Sequence, residues 1–175
     1  MIKMNSNKSN ITLRTAKKTE LEKFKIDLQE AFRISAEKEL CHVLDVPIPS
    51  DLDFEESLKY PGAIVYHVIL DDTIVGGAIV AIDEKTQYNK LLLFFIKTDF
   101  HSQGVGYMAW MSIEDKHPKT KTWETVTPYF EKRNIHFYLN KCGFKIVEYF
   151  NKYHSDPNQK SNHDYDEMFK FEKSM

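Results

Sequence analysis

Residues 91–110 read LLLFFIKTDFHSQGVGYMAW. The apolar run 91–96 has the length of a buried strand, a polar stretch follows, and Gly104-Val105-Gly106 opens a segment of helical character that extends to residue 116. Two glycines at a helix start remove Cβ atoms where a ligand would approach the backbone. The first helical N–H groups, together with the positive end of the helix dipole, suit phosphate oxygens. The stretch therefore reads as strand, loop, anion cradle and helix, although a tight turn that binds nothing also uses two such glycines.

Working outward, residues 63–70 and 74–82 are β-branched runs separated by Asp71-Asp72-Thr73, which predicts a hairpin. Gly76 and Gly77 mark a bulge or a close approach, and residues 90–97 form a third antiparallel strand beside the hairpin. Upstream, residues 11–16 alternate like a strand, and Thr19-Glu20-Leu21-Glu22 has the order of a capping box that starts a helix. The helix carries the apolar stripe Leu21, Phe24, Leu28, Ala31, Phe32 and Ser35. Residues 44–61, rich in acids and proline, read as an irregular acidic connection with room for one helical turn. Downstream come a strand at 120–127, a helix at 131–141, and strands near 145–150 and 165–171, with a polar loop over 154–167. The order is an antiparallel meander followed by β-α-β-α-β-β. It predicts an α/β fold, a mixed and mostly antiparallel sheet with helices on both faces. A flexible N-terminus over residues 1–10 and a single domain over 11–175 are expected, with no internal repeat.

Of 175 residues, 24 are Lys or Arg and 26 are Asp or Glu, a net charge of −2 that lacks the basic footprint of nucleic-acid binding. The longest uncharged apolar runs fall far short of the ~20 residues that span a bilayer, so no membrane partner is expected. The first ten residues lack the apolar core of a secretory signal, which points to the cytoplasm. Cys41 and Cys142, far apart and without Cys-x-x-Cys spacing, read as two reduced, buried thiols. The seven histidines show no metal-ligand spacing, and no metal is expected. Most of the aromatics between Phe94 and Phe137 belong in the core, with a few available to line an acceptor pocket.

Residues 104–109 also satisfy G-x-G-x-x-[GA], with Glu124 about twenty residues on as a ribose acid. In a dinucleotide site, however, the first glycine follows the strand almost at once, whereas here residues 98–103 intervene and an antiparallel hairpin precedes the unit. A Walker loop is absent, because no Gly-Lys-Ser or Gly-Lys-Thr occurs.

His101-Ser102-Gln103-Gly104-Val105-Gly106 resembles the [RQ]-x-x-G-x-[GA] signature of the GNAT superfamily of acyl-CoA-dependent N-acetyltransferases. It departs at the first position, where His101 makes any cationic contribution depend on pH. Residues 134–144, NIHFYLNKCGF, are similar to the family's later N-x-x-x-Y-x-x-x-G-F stretch. The resemblance implies a splayed sheet in which the strand of Ile96 and the strand at 120–127 part to admit acetyl-CoA and an amine. On this likeness His101, Ser102 and the backbone of Gln103, Gly104, Val105, Gly106 and Tyr107 hold the CoA pyrophosphate. Ile96, Lys97 and Thr98 present strand-edge groups to the pantetheine arm and thioester, and Asn134 touches the arm. Tyr138 protonates the departing thiolate, while its neighbour Phe137 packs in the core. The general base stays open among Glu30, Glu37, Glu124 and His136, of which Glu30 and Glu37 lie on the helix that borders the acceptor slot. The implied activity is direct transfer of acetyl from acetyl-CoA to a primary amine, on a small molecule or a peptide, by a monomer or homodimer. A non-catalytic acyl-CoA-binding or sensing module is the alternative.

Overall fold

Asp71 and Asp72 stand at positive φ, 46° and 67°, the backbone of a two-residue turn whose twist matches that of paired strands. They join β2 (Ala63–Leu70) to β3 (Thr73–Ala81), and the sheet grows outward from this hairpin in a computed structural model that describes residues 11–157 and 167–175. β1 (Ile11–Thr15) pairs antiparallel with β2, and β4 (Tyr88–Ile96) antiparallel with β3. β5 (Thr122–Pro128) runs parallel to β4 and is followed in space by β7 (Met168–Ser174) and then β6 (Lys145–Phe150). The sheet is mixed and mostly antiparallel, as expected. The readings for residues 1–10 and most of the 154–167 loop lie outside the described residues, as does the start of the predicted last strand at 165.

Alternation along β3 sends side chains to both faces. Ile79 joins Phe24, Leu28 and Ala31 of α1 (Leu21–Leu40) and Phe54 of α2 (Asp51–Lys59). Ala78 and Val80 join Trp110 and Ile113 of α3 (Val105–Lys116) on the other side. Gly77 lets α1 sit close, since a Cβ there would lie 2.2 Å from the Phe24 ring.

Four local expectations are corrected. The connection at 44–61 contains a nine-residue helix, because Ser50 Oγ accepts from Asp53 N at 3.1 Å while the Asp53 carboxylate accepts from Ser50 N at 3.2 Å. Acids near that N-terminus favour the helix they were read as breaking. At α1 the reach-back acid is Glu20, which accepts from Lys17 N at 2.7 Å, so a short 3₁₀ turn over Lys18–Glu20 precedes the helix. Cys41 is exposed, not buried, because it closes α1 in the left-handed conformation with φ 57°. The predicted helix at 131–141 is α4 (Lys132–His136) running into a π turn over Phe137–Lys141, closed by Cys142 N donating to Phe137 O at 3.0 Å. Four residues separate Tyr138 from Gly143, one more than N-x-x-x-Y-x-x-x-G-F allows, and a π turn is how a helix absorbs one extra residue.

β4 and β5 make three parallel pairs, Tyr88–Thr122, Asn89–Trp123 and Lys90–Glu124, and then separate. A bulge places Leu92 outside the β3–β4 register two residues beyond the last pair, where the added twist turns β4 away from β5. Thr125 Oγ1 donates to the Leu91 carbonyl at 2.9 Å, so a side chain closes the fork at the point where the backbone ladder stops.

Candidate active site

A cleft of about 780 Å³ lies between the end of β4 and the segment that follows β5. Phe94, Phe95 and Ile96 of β4 form one wall, and Ala31, Phe32 and Ser35 of α1 flank it. His101, Ser102 and the start of α3 lie at one end, with Glu131, Asn134, Phe137 and Tyr138 opposite.

Gly104 caps α3 with φ 76°, a conformation that disfavours any Cβ, and Met108 N donates to its carbonyl at 3.0 Å. The N–H groups of the first turn have no acceptor within the helix. A Cβ on Gly106 would stand 3.6 Å from the Phe137 ring and 3.7 Å from Ile96, an ordinary contact. The protein itself has room for a side chain at 106, so the bare backbone there suits a ligand, and the loop fits a phosphate group.

Of the residues read from sequence, Ile96, His101, Ser102, Gly104, Val105, Gly106, Tyr107, Asn134, His136 and Tyr138 line the cleft. Others do not reach it. Lys97 Nζ pairs with buried Asp27 at 3.0 Å, tying the end of β4 to α1. Thr98 sits in a short 3₁₀ turn, and Gln103 Nε2 donates to the Asp99 carbonyl at 3.1 Å. Glu30 is exposed on α1, while Glu37 is held by Arg33 at 3.0 Å and by Leu44 N at 3.1 Å. Glu124 lies in the paired half of the fork between Lys90 at 2.8 Å and Lys170 at 3.1 Å. Burial pushes its carboxyl up, but the two ammonium groups prevail and hold it below the usual range.

The sequence reading missed Glu131. It is 6% exposed, lines the cleft, and accepts a hydrogen bond from Ser35 Oγ at 3.1 Å. Burial lifts its carboxyl above the usual range, with Glu39 adding to the rise and the Ser35 hydroxyl and Arg133 opposing it. An acid just before a helix reads as a dipole partner, which hid this one, although it stands three residues before Asn134 of the matched motif.

Tyr138 and Phe137 both line the cleft, but the tyrosine is the more deeply buried, against Phe144 and Phe171. Phe137 instead stacks on Phe94 at the cleft wall, the reverse of the expected division. Burial pushes the Tyr138 phenol above its ordinary range, so it stays protonated.

The family model for the acetyltransferase (GNAT) family matches residues 27–144, which contain both strands of the fork, the cradle and Tyr138. The chain belongs to the GNAT family. It is 50% identical over 156 residues to the uncharacterized protein YrkN of Bacillus subtilis (strain 168), covering 89% of this chain and 84% of that one. A Bacillus subtilis acetyltransferase solved in complex with CoA shares the GNAT fold at TM-score 0.67 and 17% identity, over 95% of this chain and 99% of that one. The ribosomal-protein-S18-alanine N-acetyltransferase of Escherichia coli does so at TM-score 0.67 and 14% identity, over 94% of each. This GNAT enzyme is thus an acetyltransferase with the mixed sheet of its neighbours. Among its described residues no helix is long and apolar enough to cross a membrane.

Proposed function

We propose that this enzyme transfers the acetyl group of acetyl-CoA to a primary amine by direct attack within the fork. The observation that carries the reading is the convergence, on one cleft, of the amide-rich start of α3, the buried acid Glu131 and the phenol of Tyr138. First-turn amides of α3 hold the pyrophosphate, and the Asn134 side chain meets the pantetheine arm. Structures solved with CoA among the fold's neighbours support acetyl-CoA as the donor.

The amine enters on the α1 side, where Glu131 takes its proton; a carboxyl lifted by burial is a stronger base than an exposed one. The amine nitrogen attacks the thioester carbonyl, a C–N bond forms, and the C–S bond breaks as the tetrahedral adduct collapses. Tyr138 gives its proton to the leaving sulfur, and the neutral phenol is available at any working pH. No covalent enzyme intermediate is required. Glu131 replaces Glu30, Glu37 and Glu124 as the proposed base. With Glu39 beside it, the site favours a cationic amine, on a small molecule or a peptide.

One observation favours the second reading, a module that binds acyl-CoA without turnover: Tyr138 is buried in an aromatic cluster with Phe144 and Phe171. A thermal-shift screen followed by a panel of amines scored by free thiol release separates the two. Acetyl-CoA raises the melting temperature, NAD does not, and thiol release requires amine if the transferase reading holds. Stabilisation by acetyl-CoA with no amine-dependent release across the panel supports the binding module.

A further inference from the structure

His101 occupies the signature position that carries Arg or Gln in the family pattern, and its two ring nitrogens are both engaged. Nε2 lies 2.6 Å from the Ile96 carbonyl, an oxygen that only accepts, so Nε2 carries the proton. Nδ1 is therefore a bare lone pair, and it faces Arg133 Nη1 at 2.5 Å, which donates to it. A neutral imidazole in this one tautomer thus links the end of β4, through the loop that enters α3, to the guanidinium of α4. Arg133 and His101 line the same cleft as the first turn of α3.

We propose that neutral His101 is a positioning residue that aims Arg133 at the pyrophosphate of the donor, so that acid weakens donor binding. The proposal rests on the acetyl-CoA reading given above. A guanidinium is the side chain best matched to phosphate oxygens, and here it is supplied from α4 instead of from the loop. When His101 gains a second proton, Nδ1 becomes a donor facing a donor and a cation facing a cation. The imidazolium repels Arg133 and the contact opens. Arg133 from α4 faces the ring at hydrogen-bond distance, the charge of Lys38 on α1 also acts on it, and the charge of Arg133 acts in turn on Glu131. Burial, with these two cations, holds the imidazole below its ordinary value against the pull of the Ile96 carbonyl, so the change falls on the acid side of neutrality.

Glutamine at 101 offers one donor and one acceptor and does not titrate, so His101→Gln preserves the link at every pH. The test measures binding of dephospho-CoA by calorimetry from pH 7.5 to 5 in wild type, His101→Gln and Arg133→Gln. This probe is chosen because its pyrophosphate diester keeps its charge over that range, unlike a phosphate monoester. Pantetheine, which has no phosphate, is the control, and a melting temperature is taken for each protein. Wild-type affinity is expected to fall about tenfold or more on acidification, the scale of one charged hydrogen bond. His101→Gln holds its affinity flat, Arg133→Gln is weak and flat, and pantetheine is indifferent to both changes. An Arg133→Gln protein that binds dephospho-CoA as wild type does, or a pH dependence that survives in His101→Gln, overturns the proposal. Failure of wild type to bind either acetyl-CoA or dephospho-CoA at pH 7.5 instead overturns the acetyl-CoA reading itself.

Discussion

The paired half of the β4–β5 fork and the cleft beyond it treat their acids in opposite ways. In the paired half, Glu124 is bracketed by Lys90 and Lys170, and Asn89 Nδ2 donates to Thr120 Oγ1 at 2.7 Å, so the protein itself supplies the partners of both side chains. Beyond the fork, just past the end of β5, Glu131 is nearly as enclosed as any core residue, yet among the described residues its hydrogen-bond partner is a single serine hydroxyl. Two ammonium groups at ion-pair distance make one glutamate structural, whereas among the described residues no cation stands at that distance from the other, which is left able to exchange a proton. The bulge at Leu92 is what turns one environment into the other.

The strongest break of this contrast is Glu131→Gln, which keeps shape and removes the base. Turnover should fall by the ~10² to 10⁴ typical of a lost acid–base group while acetyl-CoA affinity holds. Its melting temperature at neutral pH should rise. The folded carboxyl is shifted upward, so its favourable contribution is present below the unfolded value and is lost as pH rises through the folded one. Tyr138→Phe comes next, because it removes only the phenol oxygen of a residue that lines the cleft. A proton donor to sulfur predicts a comparable drop in turnover with donor binding intact, whereas a purely structural phenol predicts a stability loss of about 1 kcal/mol and an unchanged rate for the folded fraction. Melting temperature, affinity and turnover on one preparation decide between them.

Gly106→Val sharpens the contrast at the mouth of the cleft. The added Cβ meets Phe137 and Ile96 at ordinary distance, so stability should change little while acetyl-CoA affinity drops tenfold or more, as read by calorimetry. A folded variant with wild-type affinity would make the cradle a plain turn. The smallest effect belongs to Glu124→Gln, which should cost roughly 1 kcal/mol of stability near neutrality and leave turnover untouched. Since that carboxyl is shifted downward, the stability it supplies is present above the unfolded carboxylate range and lost as pH falls through the folded value, and urea unfolding at several pH values checks this.

Much of the fold was legible because the information was local. The hairpin followed from two β-branched runs around Asp71-Asp72, and the cradle from two glycines after a strand. What stayed hidden depended on partners distant in sequence. Glu131 becomes a site residue only because Ser35, 96 residues away, packs over it, and Glu124 leaves the site only because Lys90 and Lys170 arrive from neighbouring strands. The extra residue after Tyr138 was present in the spacing, but its consequence, a π turn that exchanges the burial of Phe137 and Tyr138, appears only once the helix is packed. The acidic connection at 44–61 was misread because charge was weighed without the capping geometry of Ser50 and Asp53.

The most direct test is the pH dependence of kcat/KM for the amine in wild type, Glu131→Gln and Glu124→Gln, with thiol release as readout and acetyl-CoA held saturating at each pH. In wild type and Glu124→Gln, activity should rise with pH through a step that lies above the ordinary carboxylate range, and in Glu131→Gln that step should vanish along with most of the rate. A step that persists unchanged in Glu131→Gln, or that disappears in Glu124→Gln, would contradict the assignment of the chemistry to the parted half of the fork.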